Sequence, residues 1–287
     1  SGLQLRIGAG MALDENMMKA FVDPVLKGDL HSLTGNLVFC PEVPIEEFLK
    51  YKKDKTTLYP EYRQKSKSVN FGFLFGSSSI SFATSFLKKE WSKDECMKYI
   101  SDNKLSSKYQ STMSRIESGE SFVDEDLAPF WIVAQDIREK FFENYYGLEQ
   151  WIDTSVNFAI RNGYVTSHFG GVRRLPILKL SGVTDKKEVV GEIKTYGNMA
   201  VNAPVQHIES GIMFRSELKI LEKVKEEGLD TWIVNSIHDS CVMIVKKEHT
   251  DRLCEIIHEV FDVTPEELPV PMEAEIDVFD PNKGEYW

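Results

Sequence analysis

Four residues spaced by fours carry the most chemistry in this chain of 287 residues: Arg63, Lys67, Phe71 and Phe75, with Gly76 following. On an α-helix, positions four apart stack along one face. At about 1.5 Å per residue, Arg63 and Phe71 lie about 12 Å apart. Two cations at one end and two aromatic rings at the other match the layout of a nucleoside triphosphate, with its polyanion, sugar and flat base. The same stripe also suits an ordinary amphipathic helix with one solvated end and one buried end. Asn70 and Gly72 are poor helix formers. Pro60 suits a first helical turn.

A second pattern lies at residues 231–245, where two apolar, β-rich runs flank Ile237-His238-Asp239-Ser240. This spacing predicts a hairpin with His238 and Asp239 at its tip. Such a tip would hold one carboxylate where a divalent cation could sit. It could also be a polar turn whose Asp satisfies its own backbone. A metal-dependent phosphohydrolase would need further ligands, and the six histidines show no metal-ligand spacing.

Taken with the order of further motifs, the chain resembles the family A DNA polymerases, the group of bacterial polymerase I and the replicative polymerases of some phages. The family's fingers helix runs Arg-x3-Lys-x3-Phe/Tyr-x3-Tyr-Gly, and its hairpin reads Val-His-Asp-Glu. The stretch Ser1-Gly-Leu-Gln4-Leu-Arg6 is similar to the end of the first catalytic motif, and Gly28-Asp29-Leu30-His31-Ser32 to the segment before the fingers helix. Gly163-Tyr164-Val165, Phe169-Gly170, Arg173-Arg174 and Pro176 follow the family's Gly-Tyr-Val…Phe-Gly-Arg-Arg…Pro run. Asn202-Ala-Pro-Val-Gln206 follows Asn-x-Pro-x-Gln, and Asp280-Pro-Asn282-Lys-Gly284-Glu285-Tyr-Trp287 resembles the family's C-terminus.

The resemblance implies an α+β fold, with helical fingers beside a palm that carries an antiparallel sheet, as part of a right-hand polymerase. It implies palm at 1–14, fingers at 15–195 with an insertion at about 85–135, and palm again at 196–287. It implies template-directed DNA synthesis from dNTPs on a primer–template, with two Mg²⁺ ions (Mn²⁺ a substitute) stabilising the attacking and leaving oxygens. Asp239 is then a metal-binding catalytic carboxylate and His238 a contact to the primer end. Arg63, Lys67 and His31 hold the triphosphate, and Lys67 also assists catalysis. Phe71 stacks near base and sugar, while Phe75 and Gly76 abut the template base. Asn202, Gln206 and Arg174 contact primer or template, with Arg173 able to replace Arg174. His31 also fits a structural role at a helix start.

Several positions depart from the family pattern. The other catalytic Asp stands two residues before the Ser that aligns with Ser1, so a partner polypeptide carrying that Asp and the thumb is expected. A cut in a longer protein, a split gene, or the downstream product of protein splicing would each give such a chain. Ser1 suits the last, and equally a residue left by an expression tag. Gln4 replaces a Glu that blocks the ribose 2′-hydroxyl, and Phe75 replaces the Tyr that bonds it, so weaker sugar discrimination is expected. Ser240 replaces a Glu, as in single-subunit phage RNA polymerases, which keeps RNA synthesis as an alternative. Asn198 stands where Arg is frequent. A non-catalytic nucleic-acid-binding subunit is a further alternative, opposed by the intact Arg63–Lys67–Phe71 face and Asp239.

Composition bounds rather than decides. The net charge of −11 argues against a simple electrostatic DNA binder, but Lys50, Lys52, Lys53, Lys55, Arg63, Lys65 and Lys67 form a local basic cluster. Four scattered cysteines read as reduced thiols, and no apolar run reaches membrane-spanning length, so a cytoplasmic protein is expected. The patterning predicts a strand over 1–13 and helices over 15–55 and 58–76. It then predicts one long helix over 129–162 with core aromatics Phe141, Phe142, Tyr145 and Tyr146, and a ribbon over 164–180. A helix over 188–225 that Pro204 kinks or starts, a helix over 247–261 and a closing strand over 270–279 complete it.

Overall fold

A computed structural model describes residues 2–176, 186–266 and 268–280. The fold is α+β: a mainly helical body with two separate two-stranded antiparallel sheets. The N-terminal run is a helix, α1 (Leu3–Ala12), not the expected strand. It is buried almost all round, from Leu5 to Gly10, wedged between two hydrophobic clusters. An apolar run buried on every side carries no period, so sequence alone could not separate helix from strand. Asp14 then caps α2 (Glu15–Val22) by accepting from Met17 N at 2.9 Å.

Helix α3 (Leu30–Phe39) begins at the N-cap Asp29 and packs along α5 (Tyr59–Leu74), with α4 (Ile45–Tyr51) between them in the chain. Residues Ser66, Val69, Asn70 and Phe73 of α5 are buried, at spacings that define one helical face. Phe73 meets Phe82, Phe141 and Phe142 at ring-centroid distances of 4.6, 5.3 and 5.9 Å, the middle of the main core. Arg63, Lys67, Phe71 and Phe75 lie on the neighbouring, half-buried face. Gly76 ends α5 at φ +75°, with Gly76 N on Phe73 O at 3.0 Å and Ser77 N on Gly72 O at 2.9 Å. That bonding pattern needs a left-handed residue, which explains the glycine.

The segment read as an insertion continues the body rather than forming a unit of its own. After α6 (Ser79–Phe82), it runs through a π-helical turn (Ala83–Leu87), α7 (Lys88–Glu90), α8 (Lys93–Asp102) and α9 (Ser106–Glu117). Leu87, Trp91, Cys96 and Ile100 join the main core. The long helix expected over 129–162 is two helices, α10 (Ala128–Asn144) and α11 (Tyr146–Asn162), broken at Tyr145. Asp14 explains the break: its Oδ2 accepts from Leu148 N at 3.1 Å, and a Cβ on Gly147 would sit 2.9 Å from Asp14 Cα. Phe141, Phe142 and Tyr145 are core as expected, but Tyr146, the residue after the break, is 62% exposed.

The ribbon pairs β1 (Tyr164–Thr166) with β2 (Val172–Arg174), and the rest of its expected length, 177–180, lies outside the described residues. Helix α12 (Lys186–Glu226) carries Pro204 in its interior rather than at its start. The hairpin β3 (Thr231–Ile237) and β4 (Ser240–Val245) has Ile237 opposite Ser240, and α13 (Thr250–Phe261) follows. One side of the hairpin packs Met243 and Val245 on α12 and α13, while Trp232, Val234, Ile237 and Ile244 are exposed. The closing strand is not formed. Pro269 and Pro271 lack donors, Met272 N bonds Val263 O at 2.8 Å, and Ala274 N bonds Asp262 Oδ1 at 2.8 Å. These bonds tie 270–274 back to the end of α13 and the loop after it instead of to a strand. The C-terminal motif at 281–287 and Ser1 lie outside the described residues.

Candidate active site

The α5 face and the start of α3 come together. Asp29 caps α3 through Ser32 N at 3.1 Å, and its carboxylate also holds two cations. Lys52 Nζ is 2.6 Å from Oδ2; Arg63 Nε is 3.2 Å from both oxygens, with Nη2 3.1 Å from Oδ1. Burial alone would raise this carboxyl's pKa, but the Lys52, Arg63 and Ser32 hydrogen bonds outweigh it and hold it well below the carboxylate range. Arg63 is thereby fixed, and Lys67 makes no ion pair among the described residues. His31 stands beside both. Its Nδ1 is 2.9 Å from Asn70 Nδ2, and its ring is tilted over Phe71 at 6.0 Å. Burial first, then the charge of Arg63, lowers its pKa to about 4. At neutral pH it is therefore an uncharged imidazole within the field of two cations. Phe71 stacks on Phe75 at 6.4 Å, extending the aromatic end of the ladder.

Gly76 abuts α12: a Cβ there would lie 3.2 Å from Asn198 Oδ1. Gln4 also reaches α12, where its Nε2 donates to both carboxylate oxygens of Glu209 at 3.0 and 2.9 Å. A carboxylate only accepts, so the amide nitrogen must face it. Glu209 is buried, and Phe75 packs against the same group of α1 and α12 side chains.

A cleft of about 480 Å³ lies between the ribbon and α12, lined by Val165, Ser167, Arg173, Asn202, Gln206 and His207. Ser167 Oγ joins His207 Nδ1 at 2.8 Å and accepts from Gly171 N at 3.2 Å. Asn202 Oδ1 is buried with no hydrogen-bond partner among the described residues, an acceptor still to be satisfied. Arg173, opposite Val165, lines the cleft, and Arg174, opposite Tyr164, does not. Of the two arginines, Arg173 is the one gathered with Asn202 and Gln206.

His238 and Asp239 form the exposed two-residue tip of the β3–β4 hairpin, with His238 at φ +54°. That sign is the one the primed hairpin turns require. Among the described residues no three His, Cys, Asp or Glu side chains gather into a metal-binding group. Asp239 could give one carboxylate oxygen, but a magnesium site takes more than one protein ligand or bound phosphate, and the described residues gather no second ligand beside it. All four cysteines are free thiols.

Residues 131–282, more than half of the chain, match the family model described as DNA polymerase family A. The chain belongs to DNA polymerase family A. Members of this family generally use divalent metals. This family A chain is 25% identical over 262 residues to DNA polymerase I of Bacillus caldotenax, covering 91% of the chain and 23% of that protein. It is 25% identical over 290 residues to the thermostable DNA polymerase I of Thermus aquaticus, covering 100% and 26%. It is 27% identical over 250 residues to the DNA polymerase of Escherichia phage T5, covering 85% and 25%. The chain thus spans about a quarter of the length of these curated relatives. Its fold is shared with the POL domain of Pol1 from M. smegmatis, solved in complex with DNA primer-template and dNTP. That match has a TM-score of 0.65 and 22% identity, covering 95% of this chain and 37% of that one. No helix among the described residues is long and apolar enough to cross a membrane.

Reading the sequence missed Asp29 as the holder of Arg63, although an Asp before an apolar run with Ser three residues on is an N-cap signature. It missed Glu209, which no local pattern marks as the partner of Gln4. It also missed the buried hydrogen-bonded chain behind His31, described below.

Proposed function

We propose that this chain is the fingers (15–195) and most of the palm (1–14 and 196–287) of a template-directed DNA polymerase. In this reading it transfers a nucleotide from dNTP to a primer 3′-hydroxyl. The observation that carries the reading is the α5 face: Arg63 held by Asp29, Lys67 without an ion pair among the described residues, and neutral His31 beside them. Two cations and a neutral donor suit a triphosphate, and they counter the charge that develops on the leaving pyrophosphate. Phe71 offers a ring for the base or sugar. The cleft with Arg173, Asn202 and Gln206 is read as a primer–template contact through phosphates and groove edges. Asp239 gives one of the paired carboxylates of a two-ion mechanism, with Mg²⁺, or Mn²⁺ in its place. A second polypeptide segment carrying the other Asp and the thumb completes the site. The exposed apolar side of the hairpin, which includes the paired Trp232 and Ile244, supports such a neighbour, because a lone two-stranded hairpin is marginal in water.

Primer extension tests the reading. The chain mixed with an upstream fragment bearing the missing carboxylate should extend a primer in a metal-dependent way, and Asp239→Ala should abolish it. Extension by the 287-residue chain alone would overturn the two-piece reading. Arg63→Ala and Lys67→Ala binding dNTP as tightly as the parent chain would overturn the triphosphate assignment.

A second reading, a sugar-tolerant or RNA-polymerase-like enzyme, is favoured by one observation. Gln4 is tied to Glu209 on α12, and Phe75 has no hydroxyl to take its place. The ratio of ribonucleotide to deoxyribonucleotide incorporation decides between the two.

A further inference from the structure

Behind His31 runs a buried chain of hydrogen bonds that crosses three elements. The Tyr145 hydroxyl is 2.8 Å from Thr34 Oγ1, Thr34 Oγ1 is 2.8 Å from Asn70 Oδ1, and Asn70 Nδ2 is 2.9 Å from His31 Nδ1. Tyr145, Thr34 and Asn70 are at most 1% exposed. Tyr145 sits at the break between α10 and α11, Thr34 on α3, and Asn70 on the core face of α5.

We infer that this chain runs one way, from Tyr145 to His31, and holds His31 as the tautomer with its single proton on Nε2, a neutral donor for the triphosphate alongside Arg63 and Lys67. The inference rests on the reading of α5 as a triphosphate-binding face. The direction follows from the buried end. Thr34 is the partner of the Tyr145 hydroxyl among the described residues, and a buried O–H that only accepted would leave its hydrogen unpaired in the core. Tyr145 therefore donates to Thr34. Thr34 has one hydrogen, and passes it to Asn70 Oδ1. Asn70 must then turn its Nδ2 toward His31, and Nδ1 of that ring can only accept. The remaining proton lies on Nε2, which has no partner among the described residues. The opposite direction would strand the Tyr145 hydrogen in the core.

Two consequences make this more than packing. The proton that Nε2 offers does not depend on pH near neutrality, because a third full charge beside Arg63 and Lys67 is disfavoured. Tyr145 also ties the break between α10 and α11 to the donor that faces the ligand, although it touches no ligand itself. It is a positioning residue, as are Thr34 and Asn70.

The experiment is long-range ¹H–¹⁵N NMR of the histidine rings in the full 287-residue chain, with dNTP affinity measured on the same samples. The parent chain should show the Nε2–H tautomer at pH 7; an Nδ1–H ring would overturn the inference without any variant. Asn70→Asp can only accept at this position, so it should move a proton onto Nδ1. Tyr145→Phe removes the donor that sets the direction, so the Nδ1–H form should become a substantial fraction. Affinity should then fall about threefold to tenfold, the worth of one hydrogen bond. Thr34→Ser, which keeps the hydroxyl, should behave as the parent chain. If Arg63→Ala weakens dNTP binding while Tyr145→Phe keeps both the parent tautomer and the parent affinity, the relay is wrong and the triphosphate reading stands. If Arg63→Ala and Lys67→Ala leave dNTP affinity unchanged, the triphosphate reading itself has failed.

Discussion

Asp29 grips Arg63 along one edge of its guanidinium: Nε lies 3.2 Å from both carboxylate oxygens and Nη2 3.1 Å from Oδ1. The same carboxylate caps α3 and binds Lys52. One acidic side chain thus starts the helix that carries His31 and fixes the first cation of the α5 ladder. Asp29→Asn keeps an acceptor for the cap but leaves two cations without their partner, with an expected loss of about 1–2 kcal/mol in urea unfolding. Asp29→Ala also loses the cap, and should cost about 1 kcal/mol more. Equal losses for the two variants would show that the cap contributes nothing.

Lys67 and Arg63 should not be equivalent. Arg63 already spends part of its hydrogen-bonding capacity on Asp29, whereas Lys67 has no ion pair among the described residues. Charge-assisted hydrogen bonds are worth about 1.5–3 kcal/mol each, or roughly tenfold to a hundredfold in affinity. Lys67→Ala should therefore weaken dNTP binding at the upper end of that range and Arg63→Ala at the lower end. Both effects should shrink as salt is raised. Titration calorimetry at two ionic strengths checks the order.

His31 makes stability depend on pH in a definite window. Its pKa falls from 6.5 in the unfolded chain to about 4 in the fold. Between those values the unfolded chain binds the extra proton, so stability rises with pH through that range. Acidification from pH 6.5 toward 4 should therefore remove stability, on the order of 2 kcal/mol after allowing for the ring's partial exposure. Above pH 6.5 His31 is neutral in both states and adds no slope. His31→Gln should flatten the curve in that window. A parent-like slope in the variant would assign the effect to other groups.

Gln4→Glu is not a simple restoration of the family residue, because Glu209 already occupies the opposite side. Two carboxylates would meet where one amide now donates to both oxygens at 3.0 and 2.9 Å. The single variant should lose about 1–3 kcal/mol at pH 7 and recover part of it in acid, where one carboxyl takes up a proton. Adding Glu209→Ala should relieve the conflict. The double variant, not the single one, then tests whether a Glu at position 4 restricts ribonucleotide incorporation. Parent-like stability of Gln4→Glu would show that the Gln4–Glu209 contact is not formed in solution.

Gly76→Ala should be costly for two separate reasons. The residue sits at φ +75°, where a Cβ costs about 1–2 kcal/mol, and that Cβ would press on Asn198 Oδ1 at 3.2 Å. Asn198→Ala in the same background should recover the second part and leave the first. Thermal unfolding of the three variants separates the two terms.

The sequence by itself determined the elements whose physics is local. The four-residue spacing of Arg63, Lys67, Phe71 and Phe75 put them on one face of α5, and Gly76 marked its end. The alternating runs around His238-Asp239 made the hairpin, and the order of motifs gave the family. Two segments defeated that reading because their environment is not local. Residues 5–10 are buried on all sides, so no periodicity distinguished helix from strand. Residues 270–279 look strand-like, yet no neighbouring strand pairs with them among the described residues, and Met272 N bonds Val263 O instead. The site divides in the same way. Which cations and rings share a face follows from helical geometry. That Asp29 holds Arg63, that Glu209 holds Gln4, and that Arg173 rather than Arg174 lines the cleft were decided only by tertiary structure. So was the link from Tyr145 through Thr34 and Asn70 to His31. Thr34 and Tyr145 stand 111 positions apart. A hydrogen bond across that distance is set by how α3, α5 and the α10–α11 break pack together, and no residue's own type or spacing encodes it.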